Sequence, residues 1–162
     1  MTSTIPSWAS ICALALCVGV STTHATEPLA LEAKIALGNV AGRIDHLAID
    51  LPRQRLFVAE LGNNSVGIVD LKERKLIRTL SGLKQPQGVS YHQPTDTLYV
   101  ANAGDGSVRM FSGPDYSAAG QIDLGDDADN VRIDGTANRI IVGYGNGALA
   151  VIDPKTLSLI HI

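Results

Sequence analysis

Residues 98–112 read Leu98-Tyr-Val-Ala-Asn-Ala-Gly-Asp-Gly-Ser-Val-Arg-Met-Phe-Ser112, and this stretch decides the fold. Two short runs rich in Val, Tyr, Phe and Met flank a Gly-Asp-Gly turn signal, the pattern of a β-hairpin. The same pattern stands 42 residues earlier, as Leu56-Phe-Val-Ala-Glu followed by Ser65-Val-Gly-Ile-Val-Asp. It stands again 42 residues later as Ile140-Ile-Val-Gly-Tyr, and 41 later as Ala148-Leu-Ala-Val-Ile-Asp. Upstream of each hairpin, His46-Leu-Ala-Ile-Asp, Gly88-Val-Ser-Tyr-His and Asn130-Val-Arg-Ile-Asp keep the same interval. The agreement of three registers marks an internal repeat.

Each repeat holds four short strands, expected in the first at about 46–50, 55–60, 65–70 and 76–80. Asn63-Asn64, Asp105-Gly106 and Asn146-Gly147 supply the residues tolerant of positive φ that the central hairpins need. The runs are apolar at both odd and even positions, which fits a small sheet buried on both faces. A four-stranded unit repeating every 42 residues or so and stacked face to face is a blade of a β-propeller. No segment after Val20 carries sustained helical periodicity, and Trp8, the single tryptophan, lies outside the repeats.

The motifs carry a resemblance. Leu98-Tyr-Val-Ala-Asn with Gly-Asp-Gly-Ser-Val, Pro86-Gln-Gly-Val and Val151-Ile-Asp-Pro-Lys-Thr are similar to the YVTN type of bacterial β-propeller repeat, over about residues 29–162. The resemblance implies an exported binding or surface protein and a ring of seven blades. The expected fold class is therefore all-β: three blades at about 38–83, 84–124 and 125–162, preceded by one further strand over Leu29–Leu37. Three blades leave two apolar faces open, so the missing blades are expected from a longer chain or from other chains.

The first 25 residues read as a secretory signal. Ile11 to Val20 is an apolar run too short to span a bilayer, and Thr23-His-Ala25 offers a small-x-small cleavage site, leaving a propeller domain over 26–162. The protein is then expected to be periplasmic or secreted, with no membrane partner after cleavage. Both cysteines, Cys12 and Cys17, fall in that segment, so the mature chain has neither disulfide nor thiol chemistry. A net charge of −3 gives no electrostatic footprint for a nucleic-acid partner.

In a meander, the loops entering the inner strand and those joining the second and third strands share one face of the disc. That face gathers the acids Asp45, Glu60, Asp105, Asp126, Asp127 and Asp129 against the bases Arg43 and Lys84. The opposite face is basic, with Arg53, Lys72, Arg74, Lys75 and Lys155. The repeat places Asp45, Gln87 and Asp129 at equivalent positions, and His46, Gly88 and Asn130 beside them, at the start of the innermost strands. Asp45, His46, Gln87, Asp126, Asp127, Asp129 and Asn130 are accordingly the expected lining of an axial site for a cationic or polyhydroxylated small molecule, or for a protein. Such oxygen donors suit calcium or another divalent cation better than zinc. The competing reading is that these Asp and Asn residues cap turns. No nucleophilic triad or Gly-x-Ser-x-Gly elbow is present, so catalysis is not evident. The alternative is a metal-dependent, lactonase-like hydrolase with Asp45, Asp129 and Asn130 as ligands and His46 as base. His92 reads as a turn or surface residue.

Overall fold

The computed structural model describes residues 29–161; the expected signal segment and cleavage site, and both cysteines, lie outside them. Twelve strands follow one another in three antiparallel meanders. The first blade comprises β1 (Leu47–Asp50), β2 (Arg55–Glu60), β3 (Ser65–Asp70) and β4 (Lys75–Leu80). The second comprises β5 (Pro86–His92), β6 (Thr97–Asn102), β7 (Ser107–Ser112) and β8 (Ser117–Asp123). The third comprises β9 (Ala128–Asp134), β10 (Arg139–Tyr144), β11 (Ala148–Asp153) and β12 (Ser158–His161). Each is a four-stranded sheet in chain order, as the repeat requires. The protein is all-β, a partial β-propeller.

The repeat extends to irregularities. The pairing of the third with the fourth strand slips at one equivalent point in every blade: Ile68/Val69, Met110/Phe111 and Val151/Ile152. Each slip is a bulge that adds twist toward the rim. The tight turns fall where Asn and Gly signalled them, with positive φ at Asn64, Gly106 and Gly147. Asp70 and Asp153 close their strands as Asx turns, accepting the Glu73 and Lys155 amides, each at 2.7 Å.

Two features depart from expectation. Leu29–Leu37 forms no strand, since each sheet already runs from inner to outer strand in its own repeat. His92 is not a surface residue. It is 3% exposed, bonded through Nδ1 to the Thr95 hydroxyl at 2.8 Å and through Nε2 to Asn138 Oδ1 at 3.1 Å, because the next blade covers it.

The core lies between blades. Phe57, Ala59, Val66 and Ile68 of the first blade pack on Val89, Tyr91, Leu98, Val100 and Tyr116 of the second. The other face of the second blade, with Tyr99, Ala101, Val108 and Met110, packs on Val131, Ile140, Val142 and Ile152 of the third. The second blade is thus buried on both faces, as its unalternating apolar runs require. The third exposes Leu149 on its free face.

Candidate ligand-binding face

The loops expected on one face are stitched together there by the backbone. Leu83 N donates to Asn64 O at 3.1 Å, Gly104 N to Lys84 O at 3.0 Å, Leu124 N to Gly106 O at 3.0 Å and Gly145 N to Asp127 O at 3.0 Å. Side chains reinforce the pattern: Asn64 Oδ1 accepts the Gln85 amide at 2.8 Å, and the buried Asn102 accepts the Lys84 amide at 3.1 Å. The turns of the first two blades thus hold the loop that enters the next inner strand, those of the second and third also hold the loop that enters their own, and the face is preorganised.

The inner strands also meet as the repeat anticipates. His46 N donates to Gln87 O at 3.3 Å, joining the first blade to the second. Gly88 lies so close to β9 that a Cβ there would collide with the carbonyl oxygen of Asp129. Only glycine allows that approach.

Within this frame the seven expected residues separate. Asp127, Asp129 and Asn130 line a cavity of about 280 Å³ with Tyr144, Gly145 and Leu149. Asp129 Oδ1 and Asn130 Oδ1 are buried and have no hydrogen-bond partner among the described residues. Asp126 braces the cavity from behind: its Oδ1 accepts the Asp127 amide at 2.9 Å, and its carboxylate packs against Gly145. Asp45 and His46 form a second cluster, in which the Arg43 guanidinium holds Asp45 at 2.5 Å. His46 Nδ1 lies 2.9 Å from Asp45 Oδ1 but out of line for a hydrogen bond, and is buried without another partner. Gln87 stands between the clusters through its carbonyl bond to His46.

The acidic face is less acidic than the sequence count. Glu60 points inward, 1% exposed, with Oε2 accepting the Ser65 hydroxyl at 2.6 Å. Asp105 is engaged by Ser107 and by Arg109; burial opposes its charge, and the Ser107 and Arg109 interactions outweigh it, leaving its pKa lowered. The uncompensated carboxylates concentrate at the third blade. No three His, Cys, Asp or Glu side chains converge to hold a metal ion among the described residues. The carboxylates at equivalent repeat positions sit in different blades, and Arg43 already neutralises Asp45.

Tyr144 and Arg43 were not among the expected site residues. Tyr144 occupies the repeat position of Glu60 and Asn102, both buried, and could have been found by asking which member of that set has an open third-blade face. Arg43 was counted on this face from the sequence, but its pairing with Asp45 was not foreseen.

The solved structures contain a relative in architecture. The chain is similar to hydrazine synthase of Kuenenia stuttgartiensis, with a TM-score of 0.69 at 20% identity, over 82% of this chain and 38% of that one. The fold is a β-propeller fold. The chain spans well under half of that structure's length, and the likeness extends to architecture alone. No family model and no curated protein matches the sequence. No helix among the described residues is long and apolar enough to cross a membrane.

Proposed function

We propose that the chain is an exported binding or scaffold module of the YVTN type, whose acidic face takes a cationic or polyhydroxylated group from a small molecule or a protein. The observation that carries this reading is the pair of adjacent, unpartnered acceptors, Asp129 Oδ1 and Asn130 Oδ1, in a site whose cavity is about 280 Å³. A buried acceptor without a donor costs about 1–3 kcal/mol, so a ligand amine or hydroxyl that reached these oxygens would recover it. Asp127 adds negative charge to the same lining, which favours an ammonium group. Export, a periplasmic or secreted location and the YVTN kinship are supported by the leading apolar segment and the repeat motifs.

Calorimetry with spermidine as the cationic probe and sorbitol as the polyhydroxylated one tests the site, with and without chelator. At least one probe should bind, and Asp129→Asn together with Asn130→Ala should weaken it tenfold or more without changing the melting temperature by more than a few degrees. Failure of both probes to bind the intact chain overturns the reading. Chelator-sensitive lactone hydrolysis, lost in the same variant, would instead make the protein a hydrolase using a divalent cation such as calcium.

A further inference from the structure

The outer rim of the second blade carries a groove. In the fourth strand, Leu76, Ala118 and Leu159 occupy one repeat position, paired with Val69, Phe111 and Ile152 respectively. Leu159 packs on the core between the second and third blades. Ala118, its equivalent between the first and second, is too small to reach across, and Ala119 and Gly120 follow where the first blade has Ile77 and Arg78. The space left is a groove of about 600 Å³, floored by Phe111, walled by Leu83 and Ser81-Gly82, and edged by Arg109 and Gln121.

β8 is also the bare edge of its sheet. The edge strand of the first blade carries Lys75 and Arg78, charges that discourage strand addition. β8 reads Ser-Ala-Ala-Gly-Gln-Ile-Asp: seven residues, uncharged except at Asp123, nearly all exposed. Its unpaired N–H and C=O row is satisfied best by another strand.

We infer that β8 accepts an extended peptide segment of a partner protein by strand addition, with one bulky apolar side chain of that segment entering the groove over Phe111. Three observations converge on this occupant. The backbone row selects an extended chain. The missing Leu leaves room for an apolar anchor beside Ala118, within cross-strand reach of an added strand. Asp123, exposed at the strand end and in no ion pair among the described residues, selects a basic residue at one end of the segment. A flat, small-molecule ligand would leave the strand edge unused.

The probes are six blocked heptapeptides, acetyl-Thr-Val-Thr-Xaa-Thr-Val-Lys-amide, with Leu, Ile, Met, Phe, Tyr or Trp at Xaa, measured against the full chain by fluorescence anisotropy. At least one should bind. Its affinity should fall tenfold or more when Xaa becomes Ala, when alternate peptide nitrogens are methylated, and when Ala118→Leu fills the groove as Leu159 does in the next interface. Backbone methylation leaves the protein untouched, so that arm stands even if the variant misfolds. The inference is overturned if no peptide of the panel binds, or if binding survives both methylation and Ala118→Leu. It is also overturned if sedimentation shows β8 occupied by a second copy of the chain, with dimerisation abolished by Ala119→Lys.

Discussion

The two interfaces between blades are built on one backbone plan and filled in opposite ways. Between the first and second blades the filling is aromatic: Phe57 stacks on Tyr91 at 5.4 Å between centroids and meets Tyr116 edge-on at 5.6 Å. Between the second and third it is largely aliphatic, with Ile140, Val142, Ile152, Leu157 and Leu159 around Tyr99 and Met110. The aromatic interface concentrates its packing near the middle and leaves its rim open. The aliphatic one is closed to the rim.

The polar clasps differ in the same sense. At the first interface Arg53 bonds to Asp50, Asp96 and the Tyr91 hydroxyl, with its guanidinium 5.3 Å from the centre of the Tyr91 ring. Burial works against the Arg53 charge, but the hydrogen bonds it donates to Asp96 and Asp50 more than offset it, and its pKa is raised. At the second interface the clasp has neither guanidinium nor carboxylate, running from His92 to Asn138. Asp96 and Asn138 are equivalent, both at positive φ, so one corner of the repeat serves as the grip in each case. What differs is the hand that reaches it, a guanidinium in one interface and an imidazole in the other.

Breaking the aromatic interface should have the largest effect. Phe57→Ala removes a fully buried ring from the centre of the cluster and should cost about 3–5 kcal/mol in urea unfolding, against about 1 kcal/mol for Ile152→Val in the aliphatic one. The charged clasp comes next. Arg53→Ala leaves the 2% exposed Asp50 without its guanidinium and should cost about 2 kcal/mol, whereas Asn138→Ala should cost about 1 kcal/mol. Equal costs would mean that charge is not what separates the clasps. Closing the rim should go the other way: Ala118→Leu should stabilise by about 1 kcal/mol, raising the urea midpoint without changing the slope.

The last expected effect is alkaline. Burial pushes the Tyr99 hydroxyl, in the aliphatic interface, from 10.0 up to about 12. The folded state then keeps a proton that the unfolded chain loses, so this stabilisation is complete below pH 10 and disappears as pH rises toward 12. Burial raises Tyr116 in the aromatic interface as well. Tyr99→Phe should therefore flatten the loss of stability above pH 10 only in part, and the double change with Tyr116→Phe should flatten it further.

Much of the architecture was legible because the repeat states each strand three times. The hairpin turns, the shared face and the Asx turns at Asp70 and Asp153 all follow from residue types with strong local preferences. The corner before each fourth strand was not legible. Arg74, Tyr116 and Leu157 stand there at φ of 54, 52 and 55°, a conformation disfavoured by about 1–2 kcal/mol for such residues. Packing decides it: Tyr116 and Leu157 turn their side chains into the interblade cores, and Arg74 reaches Glu32 at 2.6 Å. At the candidate site, the repeat identified Asp127, Asp129 and Asn130 together with residues that serve other ends. Sequence equivalence could not show that Asp45 is neutralised by Arg43, or that Glu60 turns inward over Gly67.

Gly88 carries a further consequence. Its equivalents are His46 and Asn130, and neither side chain fits where Gly88 meets the Asp129 carbonyl. The three units are thus alike in fold but not exchangeable in place. A protein engineer who moved the first repeat into the second slot would drive an imidazole into the backbone of the third. The order of the blades is written into one missing side chain.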